Sequence, residues 1–598
     1  ILVLLGALPS LGQAQDLAAK ARLANEYFQD GDYELALTAY ERLYKAQPSN
    51  FTFTERLVGC WQHLNQLGEA EDFLNKALKD RNPEPRLWAL KGKVKEWQGE
   101  NGEAEAIWTK LIQQRLDASR DYRQVASYFQ NERMYDHARR TYLAARKQLG
   151  NPRIFSGELV YVYQYLGDYE AATTELLQRY YRQPASMSGV RAQVMRFAKR
   201  DDNHRQVERA LLRAVMSHSD DVNLTELLYD FYLQIGDYKE ALVQARALDR
   251  RRNEGGYRVF RLAQVMQNNQ AYAVSNEALD YIIENYPGSP NYRQAFLERA
   301  KNYELKAFQQ LPLDTASIRE AVANYNELFN KFGRNQALHE ANYRKARLCL
   351  FHLHDVPCAE QELRAIEAMN LPAGEKAEAQ LLLGDVLVLQ GKFNDARLKY
   401  KAVQERFKDE QVGAKAKFRA ARLAYYQGNF KQAKAALGVL KENASNDIAN
   451  DAIELYLTIQ DNVGLDTSTV ALERFAQAQL WLYQNNTTKA TPILDSLLYA
   501  FPSHELVDDI YWEKAQIAWD ERQYDMADSL LQKILKDHPT SVKADDALFR
   551  RAELFHFIRQ EKQQAQDLYM RMLVEFPASL YKVQARRRIR QLRGEEVG

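Results

Sequence analysis

The cysteines and histidines near the middle of the chain form its densest group of side chains that could do chemistry. Cys349, His352, His354 and Cys358 follow one another within a single short stretch. The two thiols could face each other across a helical hairpin and form a disulfide in an oxidising compartment. Two free thiols are an alternative, and so is a metal site with the histidines, although the spacing matches no standard zinc pattern. The third cysteine, Cys60, is then an odd and buried thiol.

The remaining polar residues show no arrangement that is typical of an enzyme. The sequence has no glycine-rich phosphate loop, no His-Glu-x-x-His motif and no Gly-x-Ser-x-Gly motif. Its ten histidines are scattered, and its acidic and basic residues recur along every predicted helix, where surface pairing is their usual role. We therefore predict a protein that is not an enzyme and has no catalytic residue, no metal and no cofactor.

The overall composition also limits the possible functions. The chain has 598 residues, more than a single compact core normally holds, which predicts several domains or a repeat array. Its 81 basic residues balance 80 acidic ones, so the charge does not favour a nucleic-acid partner. With 26 glycines, 15 prolines and 35 tyrosines, the sequence favours helices over sheets or disorder.

The last predicted helix, residues 579–593, is basic and contains no acidic residue. It could be a solvated capping helix whose cations suit the C-terminal end of the helix dipole. Alternatively, it could dock on an acidic partner or make peripheral contact with anionic lipid headgroups. The candidate docking residues are Lys582, Arg586, Arg587, Arg590 and Arg593.

The first residues resemble an export signal. Residues 1–8 are almost entirely apolar, and Gly12-Gln-Ala14 is typical of a cleavage site, so residues 1–14 are predicted to be a signal peptide that begins upstream of Ile1. No cysteine for lipid attachment follows the site, and no later stretch is apolar enough for a membrane span. We expect the mature chain to be a soluble, exported protein.

One recurring phrase organises the rest of the chain. Gly31-Asp-Tyr33 is followed by a helical pattern with a small residue at Ala36, and related phrases begin at Gly167, Gly236 and Gly391. The small residue recurs every 34 residues at Ala36, Ala70, Ala104, Ala138 and Ala172. Later it recurs in steps of 37 and 38 residues, at Ala321, Ala359, Ala396 and Ala433 and again at Ala490, Ala527 and Ala565. Each unit is predicted to be a helical hairpin.

This pattern resembles the tetratricopeptide repeat, in which a small residue of the first helix faces a small residue of the second. The corresponding pairs are Ala24/Ala36, Ala126/Ala138, Gly384/Ala396 and Ala421/Ala433. The resemblance implies an all-α solenoid superhelix of about 15 hairpins that acts as a non-enzymatic scaffold for other proteins. The later hairpins, which end in Phe-Pro-Ser or a related sequence, are similar to those of outer-membrane assembly lipoproteins and their periplasmic relatives.

The resemblance also implies which side chains line the concave face of such a superhelix. These positions lie three before, one after, and four or five after the small residue of the first helix. Around Ala24 and Ala126 they are mostly polar, so the first half is expected to be a spacer. In the second half they include Phe418, Tyr425, Phe475, Trp512, Trp519 and Phe549. These aromatic residues either fill the core between hairpins or form a groove for a partner.

The changes in spacing divide the sequence into segments. After the signal peptide we predict arrays at residues 15–288, 289–443 and 444–578, with the last array following an inserted helix at 448–460 and the basic helix occupying 579–598. The signal-like start and the resemblance together imply a scaffold of the bacterial cell envelope. We expect a periplasmic accessory subunit of an outer-membrane assembly or protein-export machine, associated with the outer membrane through its partners. The alternative is a chaperone-like or peptide-binding adaptor that acts transiently in the periplasm.

Overall fold

The computed structural model describes residues 11–79, 84–309, 313–443, 446–463 and 469–595, and across these ranges the regular structure is entirely helical. By compactness the chain divides into two units, the first ending at Glu254 and the second beginning at Gly255. The helices of unit 1 are α1 Leu11–Asp30, α2 Tyr33–Ala46, α3 Phe51–His63, α4 Leu67–Ala77, α5 Arg86–Trp97, α6 Asn101–Gln113, α7 Ser119–Asn131, α8 Tyr135–Gln148, α9 Ser156–Leu166, α10 Tyr169–Arg182, α11 Met187–Phe197, α12 His204–Ser217, α13 Val222–Ile235 and α14 Tyr238–Arg252.

Unit 2 continues with the same kind of element. Its helices are α15 Tyr257–Asn268, α16 Tyr272–Asn285, α17 Tyr292–Gln309, α18 Thr315–Phe332, α19 His339–Phe351, α20 Val356–Ala368, α21 Ala373–Leu389, α22 Phe393–Arg406, α23 Gln411–Tyr426, α24 Phe430–Asn443, α25 Asn446–Asn462, α26 Val470–Tyr483, α27 Thr487–Ala500, α28 Val507–Asp520, α29 Tyr524–Asp537, α30 Ala544–Glu553, α31 Lys562–Glu575 and α32 Lys582–Arg593. A short π-helical turn, Leu554–Ile558, extends α30.

Successive helices pair into hairpins throughout the described residues. There are 15 such pairs, while the inserted helix α25 and the final helix α32 stand outside them. The predicted all-α array of about 15 hairpins is therefore confirmed. The additional helix predicted at 448–460 is present as α25.

The recurring Gly-Asp-Tyr phrase forms the turn of a hairpin, and each residue has a separate role. Gly167 ends α9 in the left-handed conformation with φ of 72°, which glycine adopts without strain. The Asp168 side chain then accepts a 3.0 Å hydrogen bond from the backbone N–H of Ala171 and caps α10. Gly236 and Asp237 repeat this arrangement between α13 and α14. The phrase thus stops one helix and starts the next.

The small residues let the two helices of a hairpin approach closely. Ala24 and Ala36 are both fully buried. At Gly92 of α5 an added Cβ would lie 2.1 Å from Nε1 of Trp108, so only glycine fits there. The same Trp108 Nε1 donates a 2.9 Å hydrogen bond to the carbonyl oxygen of Ala89. The repeated small residue therefore determines how closely the two helices of a hairpin pack, just as the Gly-Asp-Tyr phrase determines the turn between them.

The predicted segment boundaries at 288/289 and 443/444 stay predictions. The hydrophobic core around α17–α19 includes contacts from Ile283 of α16, and one continuous cluster runs from Ala421 of α23 to Ile510 of α28. That cluster includes Ile448, Ala452 and Ile459 of α25, so the inserted helix is part of the core of unit 2.

Most of the predicted signal peptide lies outside the described residues. Residues 1–10 are in that part of the chain, and α1 begins at Leu11, so residues 12–15 belong to the first turns of this helix. Among the helices that the structure describes, none is both long enough and apolar enough to cross a membrane.

Candidate functional site

Three of the six predicted groove aromatics are buried in the core. Tyr425 and Phe475 are each 1% exposed within the cluster around α23–α28, and Phe549 is 5% exposed in the core of the last hairpin. The Phe549 ring stacks on that of Tyr581, with centroids 4.3 Å apart. This burial favours the interpretation in which these aromatics fill the core between hairpins.

The other three, Phe418, Trp512 and Trp519, are half-buried. The guanidinium of Arg550 lies 4.2 Å from the Trp519 ring centroid, and the Lys543 ammonium lies 5.4 Å from that of Trp512. The two tryptophans are thus covered in part by cations of the following repeat. They do not form an open apolar groove.

A cleft lies between α25 and the helices α23, α26 and α28. Two cavities of about 270 Å³ each lie here and share Glu454, Asp509 and Lys543 in their walls. Phe418 and Tyr425 line the first of them. The carboxylates that line the two cavities define what we call the acidic cleft: Asp451, Glu454, Asp461, Glu505, Asp508, Asp509, Glu513 and Asp537.

Negative charge in the acidic cleft exceeds positive charge. Among the described residues that line it, the lysine and arginine side chains are Lys543 and Arg422 only. Lys543 forms an ion pair with Glu454 of α25, which lies 89 residues earlier in the chain. Burial, together with the neighbouring charge of Asp508, raises the pKa of Asp509 to about 7, although Lys543 opposes the shift. A cation brought to this carboxylate would therefore stabilise its ionised form.

Hydrogen bonds connect three helices behind the cleft. The Tyr425 hydroxyl donates a 2.7 Å hydrogen bond to Oε1 of Gln479, whose Nε2 donates a 2.8 Å bond to Oε1 of Glu513. Burial raises the pKa of Glu513, and the hydrogen bond from Gln479 opposes the shift. The bonds fix α23, α26 and α28 relative to one another, so the cleft wall is preformed.

The predicted basic docking residues differ in how they are placed on α32. Arg586, Arg587 and Arg590 are exposed and form no ion pair within the described part of the chain. Arg593 lies 3.9 Å from the Glu595 carboxylate, and Lys582 Nζ donates a 3.3 Å hydrogen bond to the carbonyl oxygen of Pro577. The three exposed arginines are therefore the part of the predicted set that is open to a partner.

The cysteine and histidine cluster contains a disulfide. Cys349 at the end of α19 and Cys358 in α20 are bonded, with their Cα atoms 5.9 Å apart. In the described residues, no three His, Cys, Asp or Glu side chains come together as they would to bind a metal ion. Cys60 is buried, and its burial raises the pKa of the thiol to about 12. At neutral pH this thiol is protonated and poorly reactive.

Sequence reasoning missed an exposed group of tyrosines in unit 1. Tyr161 and Tyr165 of α9 are 47% and 56% exposed, and the Tyr165 ring stacks on that of Tyr135 with centroids 4.4 Å apart. A hydrogen bond between the hydroxyls of Tyr161 and Tyr165 raises the pKa of Tyr161. We call Tyr135, Tyr161 and Tyr165 the tyrosine patch.

The repeat register could have located this patch. Val160 stands twelve residues before Ala172, as Ala24 stands before Ala36, so Tyr161 and Tyr165 occupy the positions one and five after it. These are the positions that the tetratricopeptide pattern assigns to the concave face. In this register two exposed tyrosines occupy positions in the first half of the chain where mostly polar side chains were expected.

Comparison with known proteins identifies part of the array. Residues 27–94, from α1 to α5, match the family model described as the tetratricopeptide repeat. No curated protein matches the chain significantly. Together with the hairpin packing, the family match confirms an all-α repeat fold of the tetratricopeptide type, and this type of array is a protein-interaction scaffold. The prediction that the chain is not an enzyme stays a prediction.

Several solved structures are similar over long stretches at low identity. A tetratricopeptide repeat protein from Parabacteroides merdae is 11% identical over 47% of this chain and 92% of its own, with a TM-score of 0.29. Yeast Tom70 is 13% identical over 97% and 99%, with a TM-score of 0.22. The Cut9–Hcn1 structure is 12% identical over 89% and 96%, with a TM-score of 0.25. Similarity at this level carries no information on function.

Proposed function

We propose that the protein is a non-enzymatic interaction scaffold of the bacterial cell envelope, a periplasmic accessory subunit of an outer-membrane assembly or protein-export machine. The observation that carries the proposal is the tyrosine patch on α8 and α9. It presents accessible aromatic surface at positions where this type of repeat binds its partners. Exposed tyrosines combine a large apolar ring with a hydroxyl, and such residues dominate the energetics of many protein interfaces.

The tyrosine patch favours a defined partner over transient binding of many. Its rings contact one another: Tyr165 stacks on Tyr135, and the tilted Tyr161 ring lies with its centroid 4.8 Å from that of Tyr165, so little side-chain freedom is lost when a partner binds. A chaperone-like adaptor would need a broad and adaptable apolar groove. The aromatic residues of unit 2 do not provide one, because they are buried or covered by cations.

Two features support the envelope as the location. The apolar residues 1–8 and the small residues that follow are typical of an export signal. The bond between Cys349 and Cys358 suits an oxidising compartment such as the periplasm, where disulfides persist.

The test is photo-crosslinking in intact cells of the source bacterium. A benzophenone amino acid placed at Tyr161 should crosslink to one envelope protein, and that protein should be recovered in stoichiometric amounts from solubilised membranes. The same group at Met216 of α12, which is 79% exposed and distant in the repeat register, is the matched control and should give no such product.

A double variant provides the second arm of the test. Tyr161→Ala with Tyr165→Ala removes exposed rings and should leave helicity unchanged, while recovery of the partner falls at least about tenfold, the equivalent of about 1.4 kcal/mol. A heterogeneous set of crosslinked soluble proteins would instead favour the transient adaptor. Equal crosslinking from Tyr161 and Met216 would refute the patch as a binding site.

A further inference from the structure

We propose that the chain self-associates, with the exposed basic face of α32 in one copy docking on the acidic cleft of a second copy. This inference is independent of the tyrosine patch and goes beyond the scaffold function. It rests on two complementary surfaces in unit 2. One is a basic stripe whose three arginines form no ion pair within the described residues, and the other is a cleft whose carboxylates outnumber its cations.

The basic face is a single stripe of α32. Val583, Arg586, Arg587 and Arg590 are spaced i, i+3, i+4 and i+7, so they share one side of the helix. The opposite side buries Ala585 and Ile589 against the core of the last hairpin. Val583 is 75% exposed, so the stripe offers apolar surface beside its three arginines. It has the composition of an interface rather than that of a merely solvated surface.

The acidic cleft provides the opposite charge. Asp461 of α25, Asp508 of α28 and Asp537 of α29 line it from three elements, and none of them forms an ion pair with any described residue. They share this cavity with one lysine, Lys543, which pairs with Glu454, so negative charge is in excess among the described residues that line it. Guanidinium groups delivered from outside would pair with these carboxylates through charge-assisted hydrogen bonds.

The cleft already binds one cation of its own chain, the ammonium group of Lys543, so its surroundings are suited to holding positive charge. The Lys543 side chain is only 12% exposed and lies between the Glu454 carboxylate and the Trp512 ring. Carboxylates and an aromatic ring thus hold a buried ammonium group at one end of the cleft. Asp508 and Asp537 line the same cavity as Lys543, and neither forms an ion pair with a described residue.

Apolar surface is also present at the edge of the cleft. Val542, next to Lys543, is 57% exposed and can pack against Val583 of the basic face. The chain as a whole has a formal charge of only +1, so two copies do not repel each other strongly at long range. The contact is therefore governed by local complementarity, and added salt should weaken it.

The test uses purified full-length protein and two charge-reversed variants. Arg586→Glu with Arg587→Glu reverses the basic face, and Asp508→Lys with Asp537→Lys reverses the cleft. Sedimentation velocity should show concentration-dependent association of the unaltered chain at low salt, weakened at least about tenfold at 0.5 M salt, which shortens the Debye length to a few ångströms. Each variant alone should associate at least about tenfold more weakly.

An equimolar mixture of the two variants is the decisive sample. The acidic cleft of the first then meets the basic face of the second, and both charges are inverted in the reciprocal contact, so association should return. Lys408→Glu, an exposed reversal elsewhere in unit 2, should leave self-association unchanged, as should Tyr161→Ala. The latter result separates this proposal from the proposed partner site.

Two results would overturn the proposal. One is an unaltered chain that stays monomeric at low salt up to about 100 µM. The other is a mixture of the two variants that associates no better than either variant alone. Binding of the unaltered monomer to anionic vesicles through Arg586 and Arg587 would assign the basic face to lipid headgroups and would likewise refute self-association.

Discussion

Replacing Gly384 with alanine is the most direct test of how the hairpins pack. Gly384 of α21 faces Tyr400 of α22, and a Cβ at this position would lie 2.3 Å from Cε1 and 2.9 Å from Cδ1 of the ring. Real Cβ atoms do not approach other atoms so closely, so either the ring or the helix must move. The substitution therefore tests whether the small residue of the first helix is a packing requirement.

The Tyr400 ring cannot move without losing further interactions. It is 1% exposed, and its hydroxyl donates a 2.7 Å hydrogen bond to Oδ1 of Asp385, whose other oxygen lies 3.1 Å from Nε of Arg419. Overpacking a core costs about 1–3 kcal/mol, and a lost hydrogen bond to a buried charged group adds about 1.5–3 kcal/mol. Alanine regains about 1 kcal/mol of helix propensity. We expect a net destabilisation of about 2–4 kcal/mol.

Gly374→Ala in the same helix is the matched control. An added Cβ at Gly374 meets no atom within 4 Å, so this variant should lose no packing and should gain at most about 1 kcal/mol from the helix propensity of alanine. A repeat array does not unfold as a single two-state unit. The assay is therefore hydrogen exchange of the amides of α21 and α22, read beside urea unfolding.

Making Gly384→Ala in a Tyr400→Leu variant tests whether the clash is with the Tyr400 ring. Removing the ring creates space for the new methyl group, so Gly384→Ala should cost much less there than in the unaltered protein, and the two changes should be non-additive. Equal costs in the two backgrounds would refute a clash with Tyr400. Equal stability of the Gly384→Ala and Gly374→Ala variants would refute the packing requirement altogether.

Two further predictions concern buried charge and cysteine state. Glu362 is fully buried; burial opposes its ionisation, but the ion pairs with Arg334 and Lys345 outweigh it and lower its pKa. A lowered pKa gives stability that is complete above the ordinary glutamate pKa of about 4.3 and is lost as the pH falls through the folded-state value. Glu362→Gln should cost about 3–5 kcal/mol at neutral pH and flatten the acid limb of the unfolding profile; an unchanged profile would contradict the pairing. In thiol titration, the native protein should react negligibly and the denatured protein should expose one thiol, that of Cys60, and three only after reduction. Three thiols before reduction would contradict the disulfide.

Local sequence determined the repeat and the hairpin fold. Gly167 and Asp168 stop and start helices through backbone conformation and capping, which depend on neighbouring residues alone. The spacing of small residues such as Ala36 and Ala172 then determines which helix faces pack, because a helix brings residues three and four apart onto one side. These are short-range properties, so the number and type of elements could be predicted without a structure.

Tertiary structure decided which side chains are accessible. Phe475 and Tyr161 both occupy positions near the small residue of a first helix, yet Phe475 is 1% exposed and Tyr161 is 47% exposed. The difference arises from neighbours far along the chain. The inserted helix α25 packs into the same core cluster as Phe475, whereas the helices around α9 leave Tyr161 uncovered. The repeat register predicts which face of a helix a side chain occupies, but not whether another part of the chain covers that face.

The acidic cleft likewise could not be predicted from the local sequence pattern. Its opposite walls are joined by the ion pair of Glu454 and Lys543, which are 89 residues apart. No periodicity relates these residues, since α25 interrupts the repeat and its position depends on the packing of helices before and after it. The repeat phrase determines how each hairpin forms, and only the stacking of distant hairpins determines where unpaired charge and open aromatic surface remain.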